Sequence, residues 1–141
     1  YKILSSIALE ALMELGEPGK QALYETGKKY GKEIMEEGLS QLDDDSTVEE
    51  KIALLEKTGH MLGMYPSFKY DPSAKSISFS INNCPFKGLA SKNHSLICEM
   101  HRIFLKGMFE SLFTTIELVE EKNMFSDDCK NCAYTAKLSV V

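Results

Sequence analysis

The chain has 141 residues, 43% of them apolar and 26% charged, with a net charge of −5; these values fit one domain, 1–141, with a core of its own. No stretch of about 18 uncharged apolar residues occurs, which excludes a membrane-spanning helix. The acidic balance argues against this segment holding nucleic acid by itself, because duplex binding needs a basic face that displaces counterions.

Residues 3–15 place Ile3, Leu4, Ile7, Ala8, Ala11, Leu12 and Leu15 on one stripe of a first helix. Gly16 and Pro18 stop it. Glu10 and Glu14 interrupt the apolar pattern and no basic leader precedes it, so the stretch does not read as a signal peptide. A reducing, cytoplasmic setting follows as the expectation.

A second helix fits residues 18–40, with Leu23, Tyr30, Ile34, Met35 and Leu39 apolar. Gly27 and Gly31, four apart, mark a face for close packing against a neighbour. Lys28, Lys29 and Lys32 stand among Glu25, Glu33, Glu36 and Glu37, the pattern of a solvated face. Ser46 followed by Glu49 matches a capping box and predicts a third helix to about residue 58, ended by Gly59 and Gly63.

Residues 64–70 and 75–83 predict a β-hairpin turned by Asp71-Pro72-Ser73, with Ile77, Phe79 and Ile81 alternating against serines. A long helix over residues 95–113 follows, then strands over 114–122 and 133–140 joined by 127–132. The class expected is α+β: N-terminal helices, an antiparallel sheet built from two hairpins, and one long helix between them.

The chemistry concentrates in four cysteines. Cys129 and Cys132 form a C-x2-C whose thiolates can reach one ion. Cys84 closes a strand before Pro85, and Cys98 lies on the long helix three residues before His101, on the same face. Four thiolates suit zinc, or an iron–sulfur cluster in a roomier pocket. His101 and Glu121 stand as substitute ligands. A reversible Cys129–Cys132 disulfide is a further reading of the same pair, and a buried apolar role is open to Cys98.

Several short motifs resemble the 4-vinyl reductase, or hydrocarbon-binding, domain family. They are Asn83-Cys84-Pro85-Phe86, then Ile97-Cys98-Glu99-Met100-His101-Arg102 with Gly107 and Leu112, then Cys132-Ala133-Tyr134. Leu23-Tyr24-Glu25-Thr26-Gly27 with Gly31 is similar to that family's glycine-containing helix. The same residues resemble the effector half of winged-helix repressors that carry metal or iron–sulfur centres. The resemblance implies an α+β fold, homodimers and small-molecule or metal sensing. In the phenol-sensing branch it implies zinc held by a helix cysteine, an E-x-x-C and a final cysteine. Cys98, Glu121 and Cys132 match that set, whereas Met124 stands where the middle cysteine belongs.

Catalysis is the weaker expectation, since no Gly-rich phosphate loop, Ser/His/Asp set or paired carboxylates can be placed. The function expected is a metal-binding small-molecule or redox sensor, as the regulatory part of a transcriptional regulator or a stand-alone relative. The alternative is a structural-zinc domain that binds a hydrophobic small molecule in an apolar pocket lined by Met61, Met64, Tyr65, Phe68, Phe104 and Met108.

Overall fold

The structure, a computed structural model, describes residues 2–84, 94–114, 116–122 and 132–138. Three helices come first: α1 (Lys2–Met13), α2 (Glu17–Leu39) and α3 (Val48–Met61). The hairpin β1 (Pro66–Asp71) and β2 (Ser76–Ile81) follows, then helix α4 (His94–Glu110), then β3 (Ile116–Lys122) and β4 (Cys132–Leu138). The class is α+β, with one four-stranded antiparallel sheet in the order β1-β2-β4-β3.

The β1–β2 turn forms because Asp71 Oδ1 accepts from the amides of Ser73 and Ala74, at 3.0 and 3.2 Å. Period-two alternation then sends Ile77, Phe79 and Ile81 to one face and the serines to the other. The register sets Ile77 opposite Ala136, Phe79 opposite Tyr134 and Ile81 opposite Cys132. All six of these side chains are buried.

Helix α4 covers that apolar face and is itself covered by α2. Towards the sheet, Phe109 meets Phe79 at 5.2 Å between ring centroids, and Phe79 in turn stacks on Phe68 and Tyr134 at the same separation. Such aromatic contacts add to the area that burial removes from water. Towards α2 the approach is close enough to require glycine. A Cβ on Gly31 would stand 2.1 Å from the carbonyl oxygen of Phe104, and one on Gly107 would stand 2.3 Å from that of Lys28. The Gly27–Gly31 face is thus a helix-packing face.

Local boundaries differ from expectation in instructive ways. The N-cap of α3 is Thr47, whose side chain accepts from the Glu50 amide at 3.1 Å. Ser46 instead turns back on the acidic loop, its Oγ accepting from the Asp43 amide at 2.9 Å. Two overlapping S/T-x-x-E matches stand in this stretch, and the loop claims the first. Gly59 lies inside α3, where a Cβ would come within 2.6 Å of the Pro66 ring; the helix ends at Met61, and Gly63, with a φ of +77°, follows its C-cap Leu62.

The largest departure is α1. Leu9, with Met13, packs with Leu23, Leu96 and Ile97, while Ile3, Leu4, Ile7, Ala8, Ala11 and Leu15 are exposed. The apolar stripe read from the sequence, half-buried Leu12 apart, faces outward. Both sides of α1 are apolar, so periodicity alone could not tell which one the protein's own core takes.

Candidate functional site

The last pairs of the β1–β2–β4 ladder bring the thiols to one end of the sheet. Cys132 is not in a turn but is the first residue of β4, paired with Ile81 and 3% exposed. Cys84 follows Ile81 by three residues and is equally buried, at 5%. Between them, the amides of Asn82 and Asn83 both donate to the Met64 carbonyl, each at 3.1 Å. The Asn83 side chain donates to the Gly63 carbonyl at 2.7 Å. These bonds hold the segment before Cys84 against the end of α3.

Helix α4 approaches the same place. The Nε2 of His101 lies 3.3 Å from the Sδ of Met64, and the ring is 2% exposed. A thioether can only accept, so a hydrogen bond between the two requires the hydrogen on Nε2. Burial lowers the His101 pKa to about 4, which keeps the ring neutral at physiological pH. Cys98, half-buried, sits one turn before His101 on this helix.

Tyr134 is the centre of the arrangement. Its phenol is held far above the ordinary value, first by burial, then by the nearby Cys132, Glu120, Cys98 and Cys84. Three cysteines from a strand end, a helix and a neighbouring strand therefore act electrostatically on one hydroxyl. On the β3 side, Arg102 donates through Nε to Glu99 Oε2 at 3.1 Å and through Nη1 to the Leu118 carbonyl at 3.2 Å. This guanidinium holds the Glu99 carboxylate below its usual range, and Glu99, Glu120 and Tyr134 raise the Arg102 pKa.

Compared with models of known protein families and with curated proteins, the chain matches none.

The expected site residues divide. Cys84, Cys98, Cys132 and His101 come to the same end of the sheet–α4 layer. Cys129, the other half of C-x2-C, lies outside the described residues. Glu121 is exposed, at a register irregularity of β3, and lines the open polar face of the sheet with Ser67, Ser78, Ser80 and Thr135. The carboxylate that reaches Tyr134 is its neighbour Glu120, which strand alternation turns inward and which the sequence reading passed over. Arg102 and Tyr134 were likewise not singled out as site residues; a polar pair within apolar segments was the available signal. Among the described residues, no group of three or more His, Cys, Asp and Glu could by itself hold a metal ion.

The expected apolar pocket also divides. Met64, Phe68 and Met108 share the core with Leu55, Leu105 and Phe109, and the space left among them is about 10 Å³, no more than one water's room. Phe104 lies half-buried on the edge of that core. Met61 and Tyr65 are 74% and 55% exposed. Met61 instead lines a groove of about 400 Å³ between α2 and α3, with Ile34, Leu54 and Leu62 as its apolar part and Glu37, Gln41 and Lys57 as its polar part. Among the described residues, no helix is long and apolar enough to cross a membrane.

Proposed function

We propose that this chain is a metal-binding sensor domain in which Cys84, Cys98, Cys129 and Cys132 hold a zinc ion, an iron–sulfur cluster being the alternative occupant. The observation that carries this reading is that Cys84, Cys98 and Cys132, from three different segments, all lie near enough to Tyr134 to raise its pKa. Thiolates are soft donors, and buried ones need a cation to offset their charge. Cys129, three residues from Cys132, supplies the fourth sulfur by the C-x2-C spacing. A neutral Tyr134 hydroxyl is able to donate to a metal-bound sulfur, and Arg102 offsets the negative charge of a thiolate site.

A sensing role follows from which elements the ligands join. The cysteines come from the β2 end, α4 and β4, so loss of the metal or oxidation of a thiol changes how α4 sits on the sheet. The partial likeness to metal-carrying repressors and to the 4-vinyl reductase domain family supports placing this unit in the regulatory part of a cytoplasmic transcriptional regulator, or in a stand-alone relative. The homodimer belongs to the same proposal. Metal analysis of protein purified without air tests it. About one equivalent of zinc is expected for a mononuclear site, and absorbance near 400 nm accompanied by iron would instead mark a cluster.

A second reading is favoured by the groove between α2 and α3, in which the metal is a structural staple and a hydrophobic small molecule binds against Ile34, Leu54, Met61 and Leu62. Fluorescence of an apolar dye, abolished by Leu62→Glu, tests that groove.

A further inference from the structure

On α3, Leu54, Thr58 and Met61 recur at spacings of four and three residues, which sets them on one side of the helix. That side faces the groove shared with α2. The helices meet where a Cβ on Gly38 would press into the Leu54 side chain, and beside that contact about 400 Å³ stays open. A space of this size takes a small molecule.

Thr58 is the residue out of place in this lining. It is only 7% exposed, and among the described residues its hydroxyl has no hydrogen-bond partner, the carbonyl one helical turn back included. A threonine inside a helix ordinarily bonds back to that carbonyl. No wholly buried side-chain oxygen or nitrogen among the described residues lacks a partner, so what remains open of Thr58 includes its oxygen, and the opening is the groove. A hydroxyl so placed both donates and accepts, and costs free energy if an apolar molecule covers it.

The rim carries one charge of each sign. Lys57 stands beside Thr58 on α3 and Glu37 stands on α2. Among the described residues neither is in an ion pair, with the other or with any third group. A plain hydrocarbon in the groove would leave Thr58 unsatisfied and strip water from both charges. A monocarboxylate would set its charge against Glu37, and an amine would set its own against Lys57.

We propose that the groove binds a small zwitterion, an α-amino acid with an apolar side chain. Its carboxylate accepts from the Thr58 hydroxyl and pairs with Lys57, its ammonium pairs with Glu37, and its side chain lies on Leu54 and Leu62. The proposal rests on the reading of this groove as a small-molecule site and narrows the ligand's class; it is independent of any metal.

The test is titration calorimetry near pH 7 with three probes of one skeleton: L-leucine, 4-methylpentanoate, which lacks the ammonium, and 3-methylbutylamine, which lacks the carboxylate. L-leucine is expected to bind roughly tenfold more tightly than either, as one charge-assisted contact allows. Thr58→Val keeps the shape and removes a hydroxyl that bonds to nothing in the fold, so it is expected to leave stability unchanged while weakening L-leucine and the acid but not the amine. Glu37→Gln is expected to weaken L-leucine and the amine but not the acid. Equal binding of the three probes, or a Thr58→Val variant that binds L-leucine as the unaltered chain does, would overturn the proposal. An apolar dye that binds the unaltered chain and not Leu62→Glu, with no heat from L-leucine, overturns this proposal and leaves the groove as a site for uncharged molecules. Absence of both signals removes the groove reading along with it.

Discussion

The Nε2 of His101 rests 3.3 Å from the sulfur of Met64, in a site where burial lowers the histidine's pKa to about 4. The unfolded chain takes up that proton near pH 6.5, so between these two values it binds more protons than the folded one. Stability from this group is complete above about 6.5, falls as pH drops, and levels off below about 4. Between pH 7 and 5 the loss is about 2 kcal/mol at ~1.4 kcal/mol per pH unit. Urea denaturation at both pH values checks this; His101→Gln, which cannot titrate, is expected to lose about 2 kcal/mol less over the same interval.

Gly31 admits the backbone of α4, and Ala there would drive a methyl group into the Phe104 carbonyl. Neither partner is the flexible end of a side chain, so the helices must separate. Gly31→Ala is expected to cost about 2–3 kcal/mol, read as a lower denaturation midpoint. Gly16→Ala, with nothing within 4 Å of its Cβ but a φ of +70°, is expected to cost only about 1 kcal/mol.

Arg102 ties α4 to β3 through the Leu118 carbonyl while holding Glu99 on its own helix. Arg102→Leu leaves that carbonyl without its donor and is expected to destabilise by about 1–2 kcal/mol. Lysine lacks the planar fork that serves both partners at once, so Arg102→Lys recovers only part of the loss. Thermal unfolding of the three proteins checks the order.

The stack of Phe68, Phe79, Phe109 and Tyr134 is the middle of the core. Phe79→Ala is expected to cost about 3–5 kcal/mol, because the rings around it cannot close the gap. A smaller loss, measured by denaturation, would mean that the sheet and α4 re-pack freely.

The α+β class was legible because each strand declares itself locally: Ile77, Phe79 and Ile81 alternate with serine, and Asp71 and Pro72 announce the turn. Helix α4 was legible from its apolar face, and the Gly27–Gly31 spacing pointed to close packing that the structure places against α4. What stayed hidden depended on choices between equal local signals. Helix α1 offers two apolar sides, and only the presence of Leu23 and Ile97 picks Leu9 and Met13 for the interior. Ser46 and Thr47 both fit a capping box, and the hydrogen bond from Asp43 decides between them. Glu120 and Glu121 are indistinguishable in sequence, yet strand alternation turns one to Tyr134 and the other to the open face. The cysteines were visible as a set, whereas the tyrosine whose pKa three of them raise is placed by the β2–β4 register.

The central claim is tested most directly by the metal content of the chain purified without air, beside Cys132→Ser and the Cys129→Ser/Cys132→Ser pair. About one equivalent of zinc, or iron if a cluster forms, is expected in the unaltered protein, with less in the single variant and none in the double. Protein that folds free of metal, with a stability that added zinc does not raise, would contradict it.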